Sequence, residues 1–342
     1  MHRPLRLRLD RSALQHNFQW LEQRAGVPAG AAIKADGYGI GARETMRALY
    51  DAGCRTFFVS TYAEADELGP VPGDSSVVVL HGVGPQDVEA ALATPSRPVL
   101  NSVEQAQRWK QVAPDRSADV MIDTGMNRLG LRPEETAALE SLDIDTLHSH
   151  LACADEDLPM NGRQLAAFRE VVAKVPAKRC AIANSAGICL GSDYSFDLVR
   201  PGLSLYGGIP RPEAKGNIHQ VARVEAQVVQ RRVIPPGETC GYGATFTAAS
   251  ETQAAIVNIG YADGYLRGFS SRGSAFVGEF ALPVLGRVSM DLVALGCDSV
   301  PGLQEGDWVE LDYDLPTASE ASGLTQYELL TTLGSRFERH WS

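Results

Sequence analysis

Pro98-Val99-Leu100-Asn101-Ser102 is followed by Val103-Glu104-Gln105-Ala106-Gln107-Arg108-Trp109-Lys110-Gln111-Val112 and then by Asp119-Val120-Met121-Ile122-Asp123. The first and last pieces are short apolar runs of strand length. The middle piece is polar with helical spacing of its apolar residues. A strand, a helix and a strand in this order form a βαβ unit, whose strands must be parallel. The same beat extends outward in both directions. Upstream lie the apolar runs Ala31–Lys34, Thr56–Ser60 and Ser76–His81; downstream lie Thr146–His150, Arg179–Ala183 and Leu198–Leu203. Helix-patterned stretches between them include Arg43–Ala52, Tyr62–Leu68, Pro85–Leu92, Pro133–Ser141 and Gly162–Val172. Eight apolar runs predict a (β/α)8 barrel of the TIM type rather than an open sheet.

Near Asn217 the rhythm changes. Val221–Val233, Ala254–Tyr261, Ser274–Val277, Pro283–Val288 and Trp308–Leu311 read as strands, and helical pattern returns only at Gln326–Leu333. The fold class is therefore α/β, with a C-terminal domain that is mainly β. The predicted organisation is an N-terminal strand over 1–10 that pairs with the C-terminal domain, a barrel over 11–217, and a β domain over 218–342. Two domains suit 342 residues, because single cores stop growing beyond about 250–300 residues.

The net charge of −11 argues against nucleic acid or an anionic membrane surface as a partner. No stretch approaches the roughly 18 apolar residues of a spanning helix. The first ten residues alternate basic and apolar side chains and do not resemble a signal peptide. The six cysteines are scattered, without a C-x-x-C pair, which points to reduced thiols in the cytoplasm. No clustered ligand set for a metal is evident.

In such a barrel the chemistry sits at the C-terminal ends of the strands. Lys34 ends the first run, where desolvation favours the neutral amine that attacks an aldehyde; a lysine reaching solvent or paired at the rim fits the same position. Asp123-Thr124-Gly125-Met126-Asn127-Arg128-Leu129-Gly130 places Arg128 in a glycine-flanked loop, suited to a carboxylate or to the open surface. His148-Ser149-His150 offers hydrogen-bonding imidazoles. Ser185, in Ala183-Asn184-Ser185-Ala186-Gly187, and the backbone N–H groups near Gly202 and Leu203 are candidate phosphate donors, because loops after the last two strands bind phosphate in many barrels. In the β domain, Gly260-Tyr261-Ala262-Asp263-Gly264-Tyr265 sets Tyr261 between glycines at a predicted strand end. Gly286-Arg287-Val288-Ser289-Met290-Asp291 is a second compact polar segment.

These segments, together with Ile33-Lys34-Ala35-Asp36-Gly37-Tyr38-Gly39 and Arg200-Pro201-Gly202, resemble the bacterial alanine racemase family in order and spacing over essentially the whole chain. The resemblance implies a pyridoxal-phosphate enzyme that interconverts L- and D-alanine, for peptidoglycan or for alanine catabolism. It implies that Lys34 carries the cofactor and serves as base toward the D-enantiomer, with Tyr261 as base toward the L-enantiomer. It assigns the cofactor phosphate to Tyr38, Ser185, Gly202 and Leu203, with Asn184 beside them. Arg200 would face the pyridine nitrogen, His150 would link Arg200 to Tyr261, and Arg128 and the Met290 backbone would hold the substrate carboxylate. It further implies a head-to-tail homodimer in which Tyr261 reaches the partner's site.

Both bases need lowered pKa values to work near neutrality, and the nearby arginines favour tyrosinate. Several positions depart from the commonest pattern: Asp36 and Ile40 replace Asn and His, Met121 replaces a carbamylated lysine, Ser289 replaces a cysteine and Ser335 a tyrosine. With Met121, Arg128 needs another support, such as Asn127 or an anion. The competing readings are a racemase for serine or larger amino acids, a non-catalytic cofactor-binding barrel, and a decarboxylase of the same architecture.

Overall fold

A computed structural model describes residues 2–342. The chain divides into two compact units. One comprises Leu14–Gly37 and Gly41–His219; the other comprises the chain up to Ala13, Tyr38–Ile40 and Gln220–Ser342.

The first unit is built on seven parallel strands hydrogen-bonded in chain order. Counting from the N-terminal strand β1 (Leu5–Leu9) of the other unit, they are β2 (Ala31–Ala32), β3 (Thr56–Val59), β4 (Ser76–Val79), β5 (Arg97–Leu100), β6 (Ala118–Met121), β7 (Ile144–His148) and β8 (Arg179–Ala181). β3 and β6 are buried at every position, as expected for strands covered on both faces. The intervening helices start where the sequence supplies caps. Thr61 Oγ1 accepts from Glu64 N and Ser102 Oγ from Gln105 N, both at 3.2 Å, satisfying N–H groups that a helix cannot pair internally. Helix Ala42–Asp51 buries Thr45, Met46, Ala48 and Leu49 on one face, the spacing of an amphipathic helix.

The eighth predicted strand, Leu198–Leu203, is not a strand. Val199 makes an isolated parallel bridge with Ala29. The segment nonetheless closes the ring by single hydrogen bonds on both sides. Gly30 N donates to Val199 O and Ala32 N to Pro201 O on the β2 side, while Arg200 N donates to Ala183 O beyond β8. Pro201 has no N–H to extend a ladder, so the pairing stops there. Pro133–Leu139 is a 3-10 helix.

The second unit is a mainly β structure. Its strands are β1 (Leu5–Leu9), β9 (Ala222–Ile234), β10 (Thr239–Cys240), β11 (Phe246–Thr247), β12 (Thr252–Val257), β13 (Ser274–Val277), β14 (Phe280–Pro283), β15 (Val293–Gly296), β16 (Trp308–Leu311) and β17 (Glu338–Trp341). β1 lies antiparallel to β9 and parallel to β17. Its alternation is literal: Leu5, Leu7 and Leu9 are buried, whereas Arg6 and Arg8 turn to the other face and bind Glu225. Arg6 also lies over the Trp308 ring at 3.8 Å.

Two sequence expectations are corrected here. The strand expected over Pro283–Val288 ends at Pro283, because Gly286 adopts φ 72° and turns the chain; only Val284 continues, as an isolated bridge to Leu295. A helix over Leu315–Ser322 was not anticipated. It is capped by Asp314, whose Oδ1 accepts from Thr317 N, and it ends at Gly323 with φ 74°.

Replacing Leu7 by Ala should lower unfolding free energy by about 2–5 kcal/mol, through lost burial and a cavity. Arg8→Ala, on the exposed side of the same strand, should cost less than about 1 kcal/mol. Denaturant titration of both variants checks this ordering.

Candidate active site

β2 delivers Lys34 to the mouth of the barrel. Ile33 N, one residue before it, is anchored on Phe58 O at 2.9 Å. Immediately beyond Lys34 the chain makes a left-handed turn: Ala35, Asp36, Gly37 and Tyr38 all have φ between 51° and 62°. Each L-residue in that region costs about 1–2 kcal/mol, so the turn persists only because its surroundings hold it. Glu64 accepts from Ala35 N at 3.0 Å and from Ser60 N at 2.6 Å. Asp36 Oδ1 accepts from Ala42 N at 2.9 Å, and Gly37 N donates to Ile33 O at 2.8 Å. The short aspartate side chain at a departure from the family pattern thus ties the turn to the next helix.

No acceptor lies within hydrogen-bonding distance of Lys34 Nζ among the described residues. Burial first, then the positive charges of Arg128 and Arg200, push its pKa below the usual lysine value; the negative Glu64 opposes them. The arrangement favours a neutral, nucleophilic amine.

Arg200 is the second anchor of the site. It is 7 % exposed, and the two groups behind it, His148 and Asp119, are fully buried. Nη1 donates to His148 Nδ1 and to Ala181 O, each at 2.9 Å, and Nη2 donates to Ser149 O at 2.7 Å. Arg200 Nε has no protein acceptor among the described residues. Burial lowers the pKa of Arg200 and Asp119 opposes the shift; the guanidinium stays charged, since arginine does not lose its proton in proteins. His148 Nε2 lies 2.9 Å from Asp119 Oδ2, and Phe58 packs edge-on against the imidazole at 5.8 Å. The ring bonded to Arg200 is therefore that of His148. His150 is partly exposed and contributes its backbone carbonyl to Gln164. Burial, then Arg200, Arg128 and Lys34, pull its pKa down to about 3, which keeps it neutral.

Ser185 opens a short helix capped by Asn184, whose Oδ1 accepts from Gly187 N at 2.9 Å. Ser185 Oγ accepts from Gly202 N at 3.0 Å and Ser204 N at 3.2 Å. Ser204 Oγ is buried without a partner among the described residues. Leu203 begins the 3-10 helix Leu203–Tyr206, so two oxygen-bearing side chains and several N–H groups converge. Arg128 lies on the exposed part of its loop. The loop is shaped by Gly125 N donating to Asp123 Oδ1 at 2.8 Å, and Asn127 donates to Gly125 O. Asn127 is thus engaged with the backbone, and no hydrogen-bond partner for the Arg128 guanidinium occurs among the described residues.

In the β unit Tyr261 starts a one-turn 3-10 helix rather than ending a strand. Tyr261 N donates to Ser289 O and Ala262 N to Met290 O, both at 3.0 Å, lacing the two polar segments together. A Cβ on Gly260 would sit 2.3 Å from Met290 O, so only glycine fits. Buried Asp263 accepts from Gly260 N at 3.0 Å and binds Arg336 through both oxygens, while Arg336 Nη1 reaches Asp291 at 2.8 Å. Arg267 lies 5.3 Å from the Tyr261 ring. Burial pushes the Tyr38 hydroxyl pKa well above its usual value; it remains a donor. Sequence reasoning did not single out Asp119, Glu64 or Arg336. Asp119 alone carried a signal, as an acid opening an apolar run.

The electrostatics make a directional prediction. In the cofactor-free protein Lys34 should titrate below the exposed lysines. Arg128→Ala should raise its pKa and Glu64→Gln should lower it further, because each removes the charge acting in the opposite sense. NMR of dimethylated lysines across pH reads all three.

Comparison with known proteins gives a consistent answer. A model of the alanine racemase N-terminal domain matches residues 9–210, and one of the alanine racemase C-terminal domain matches residues 221–341. An alanine racemase from Methylobacterium nodulans is 40 % identical over 98 % of this chain and 95 % of its own. A catabolic alanine racemase from Agrobacterium fabrum is 39 % identical over 98 % and 91 %. The crystal structure of alanine racemase from Bartonella henselae, with covalently bound pyridoxal phosphate, superposes with a TM-score of 0.92 at 35 % identity, covering 99 % of both chains. With the barrel, the β unit and the Lys34 turn in place, the chain belongs to the alanine racemase family.

Proposed function

We propose that this alanine racemase uses Lys34 and Tyr261 as its two bases, acting on opposite faces of the alanine α-carbon. The observation that carries the reading is Lys34 itself: an enclosed amine at a strand end, without an acceptor and beside positive charge.

The residues present fit pyridoxal phosphate. Lys34 is the attachment point. Arg200 Nε is a donor without an acceptor, suited to the pyridine nitrogen. Ser204 Oγ is a buried polar atom without a partner, next to Ser185, Gly202 and Leu203, which suit the phosphate together with Tyr38. When bound, pyridoxal phosphate supplies the electron sink that acidifies the substrate α-proton.

The chain's own groups supply the rest. Arg128 offers two donors to the substrate carboxylate, and the Met290 backbone is assigned to the same carboxylate. Lys34 Nζ takes or returns the proton on one face, and Tyr261 Oη does so on the other. His150, held neutral, is assigned to the tyrosine hydroxyl, whereas the imidazole bonded to Arg200 is that of His148. Asn184 acts one step back, by capping the helix that presents Ser185.

We assign Tyr261 to the site of a second copy in a head-to-tail homodimer. Exposed Tyr242, Met290 and Leu292 in the β unit supply apolar surface suited to association. We place the enzyme in the cytoplasm. Its six cysteines are all unpaired, as a reducing compartment requires, and among the described residues no helix is long and apolar enough to cross a membrane.

Incubation of the holoenzyme with L-alanine in D2O, followed by chiral chromatography and NMR, should yield deuterated D-alanine. Lys34→Ala should abolish this. Tyr261→Phe should slow it by about 100- to 10,000-fold, the range for losing a general acid–base group. A Tyr261→Phe enzyme of undiminished rate would remove the tyrosine from the mechanism.

Mixing the two inactive variants tests the shared site. In a homodimer with exchanged tyrosines each hybrid holds one intact site, so an equimolar mixture should regain about a quarter of wild-type activity. No recovery after verified subunit exchange would place both bases in the same chain.

A further inference from the structure

We propose that His148 is a positioning residue for the reaction: clamped by Asp119, it holds Arg200 in the orientation that leaves Nε free for the cofactor ring. The inference rests on the reading above, in which Arg200 faces the pyridine nitrogen.

The hydrogen-bond chemistry admits one arrangement. A guanidinium only donates. Arg200 Nη1 lies 2.9 Å from His148 Nδ1, so Nδ1 must accept and carries no proton. The ring proton of the neutral imidazole then sits on Nε2, 2.9 Å from Asp119 Oδ2, where the carboxylate accepts it. Burial and the charge of Arg200 pull the pKa of His148 down to about 4, in keeping with a neutral ring. The chain Asp119–His148–Arg200 therefore has a fixed direction. It starts from a carboxylate whose other oxygen is also committed: Asp119 Oδ1 accepts from Arg97 Nε at 2.6 Å and from Thr146 N at 3.2 Å.

With His148, Ala181 O and Ser149 O taking three of its five N–H bonds, Arg200 can neither turn nor swing. The two carbonyls alone leave one Nη1 hydrogen unmatched in a buried site, where an unmet donor is costly. His148 supplies that acceptor and lies against Phe58, with Arg200 itself 6.0 Å from the same ring.

Asp119→Asn tests the direction of the chain. Both groups at Oδ1 are donors, so the asparagine must place its carbonyl there. Its NH2 then replaces Oδ2 and donates to His148 Nε2. That forces the ring proton onto Nδ1, facing an Arg200 N–H, and the clamp becomes a repulsion. Nitrogen-15 NMR of the histidine rings, on the full-length protein with and without pyridoxal phosphate, should show wild-type His148 protonated at Nε2 and bare at Nδ1 throughout about pH 5 to 8, where an ordinary histidine titrates. In Asp119→Asn the two nitrogens should exchange roles.

In the holoenzyme, Asp119→Asn should lower kcat by about 10- to 100-fold, the rate equivalent of one hydrogen bond to a charged group. KM for alanine should stay nearly unchanged, and the absorption band of the bound cofactor should shift. His148→Phe, which keeps the packing but removes the acceptor, should show the same losses. His148→Asn, whose carbonyl can stand where Nδ1 stood, should retain most of the rate.

A wild-type ring protonated at Nδ1 overturns the proposal. So do variants that lose thermal stability but keep the kcat and cofactor spectrum of the wild type. Should the wild-type protein racemise no amino acid, the functional reading fails, while the NMR still reports whether the clamp exists.

Discussion

A positive charge buried at the mouth of the barrel is the constraint around which this structure is arranged. Arg200 leaves water almost completely, and a charge so placed is tolerated only when most of its donors are met and opposite charge lies near. The acceptors come from consecutive strands and their extensions: His148 from β7, Ser149 O just beyond it and Ala181 O from β8. The compensating charge is Asp119 on β6, which is shared with Arg97 on β5. Arg97 in turn binds Asp145 on β7, and Asp145 binds Arg179 on β8. Alternating charges thus cross four neighbouring strands. The register that satisfies them also sets the direction of Arg200.

The Lys34 turn shows the opposite economy. There the backbone itself is unfavourable, in a run of left-handed residues, and carboxylates stabilise it: Glu64 accepts from Ala35 N within the run, and Asp36 ties it to Ala42 N of the next helix. Glu64 serves two functions with one side chain. It bridges the strained backbone at Ala35 to Ser60 N, and its charge moderates the lowering of the Lys34 pKa. In the β unit Arg336 acts in a comparable way. By bridging Asp263 and Asp291 it ties the segment bearing Tyr261 to the segment bearing Met290, while Gly260 allows the two backbones to approach.

Much of this was legible in the chain. The alternation of apolar and polar runs over Ala31–Tyr206 reports a parallel sheet because burial on both faces leaves its mark locally, residue by residue. The alternating Arg6-Leu7-Arg8-Leu9 reports a half-buried strand for the same reason. Lys34, Ser185, Arg200 and Tyr261 stand out because glycine and proline beside them mark tight turns at run ends. Less legible were the ends of elements. Leu198–Leu203 has the composition of a strand, but Pro201 and the geometry of ring closure reduce it to single bonds. Pro283–Val288 looks continuous, yet Gly286 turns it.

The two histidines separate what each level decides. By local pattern His148 and His150 are equivalent: two residues apart in an apolar run, they should share a face. The family resemblance points to His150 as the partner of Arg200; the structure puts His148 there. The strand ends at His148, so that periodicity does not carry on to His150. Which imidazole meets Arg200 depends on Asp119 one strand away and Arg200 fifty-two positions later. The sequence determined most of the elements and the division into a parallel α/β part and a mainly β part, because these follow from local hydrophobic period and turn chemistry; the candidate racemase residues came from the resemblance of its segments to the family. Only the tertiary structure decided the partners of each charge, because a buried donor takes whichever acceptor strand register brings within hydrogen-bonding distance, and register is a property of the whole sheet.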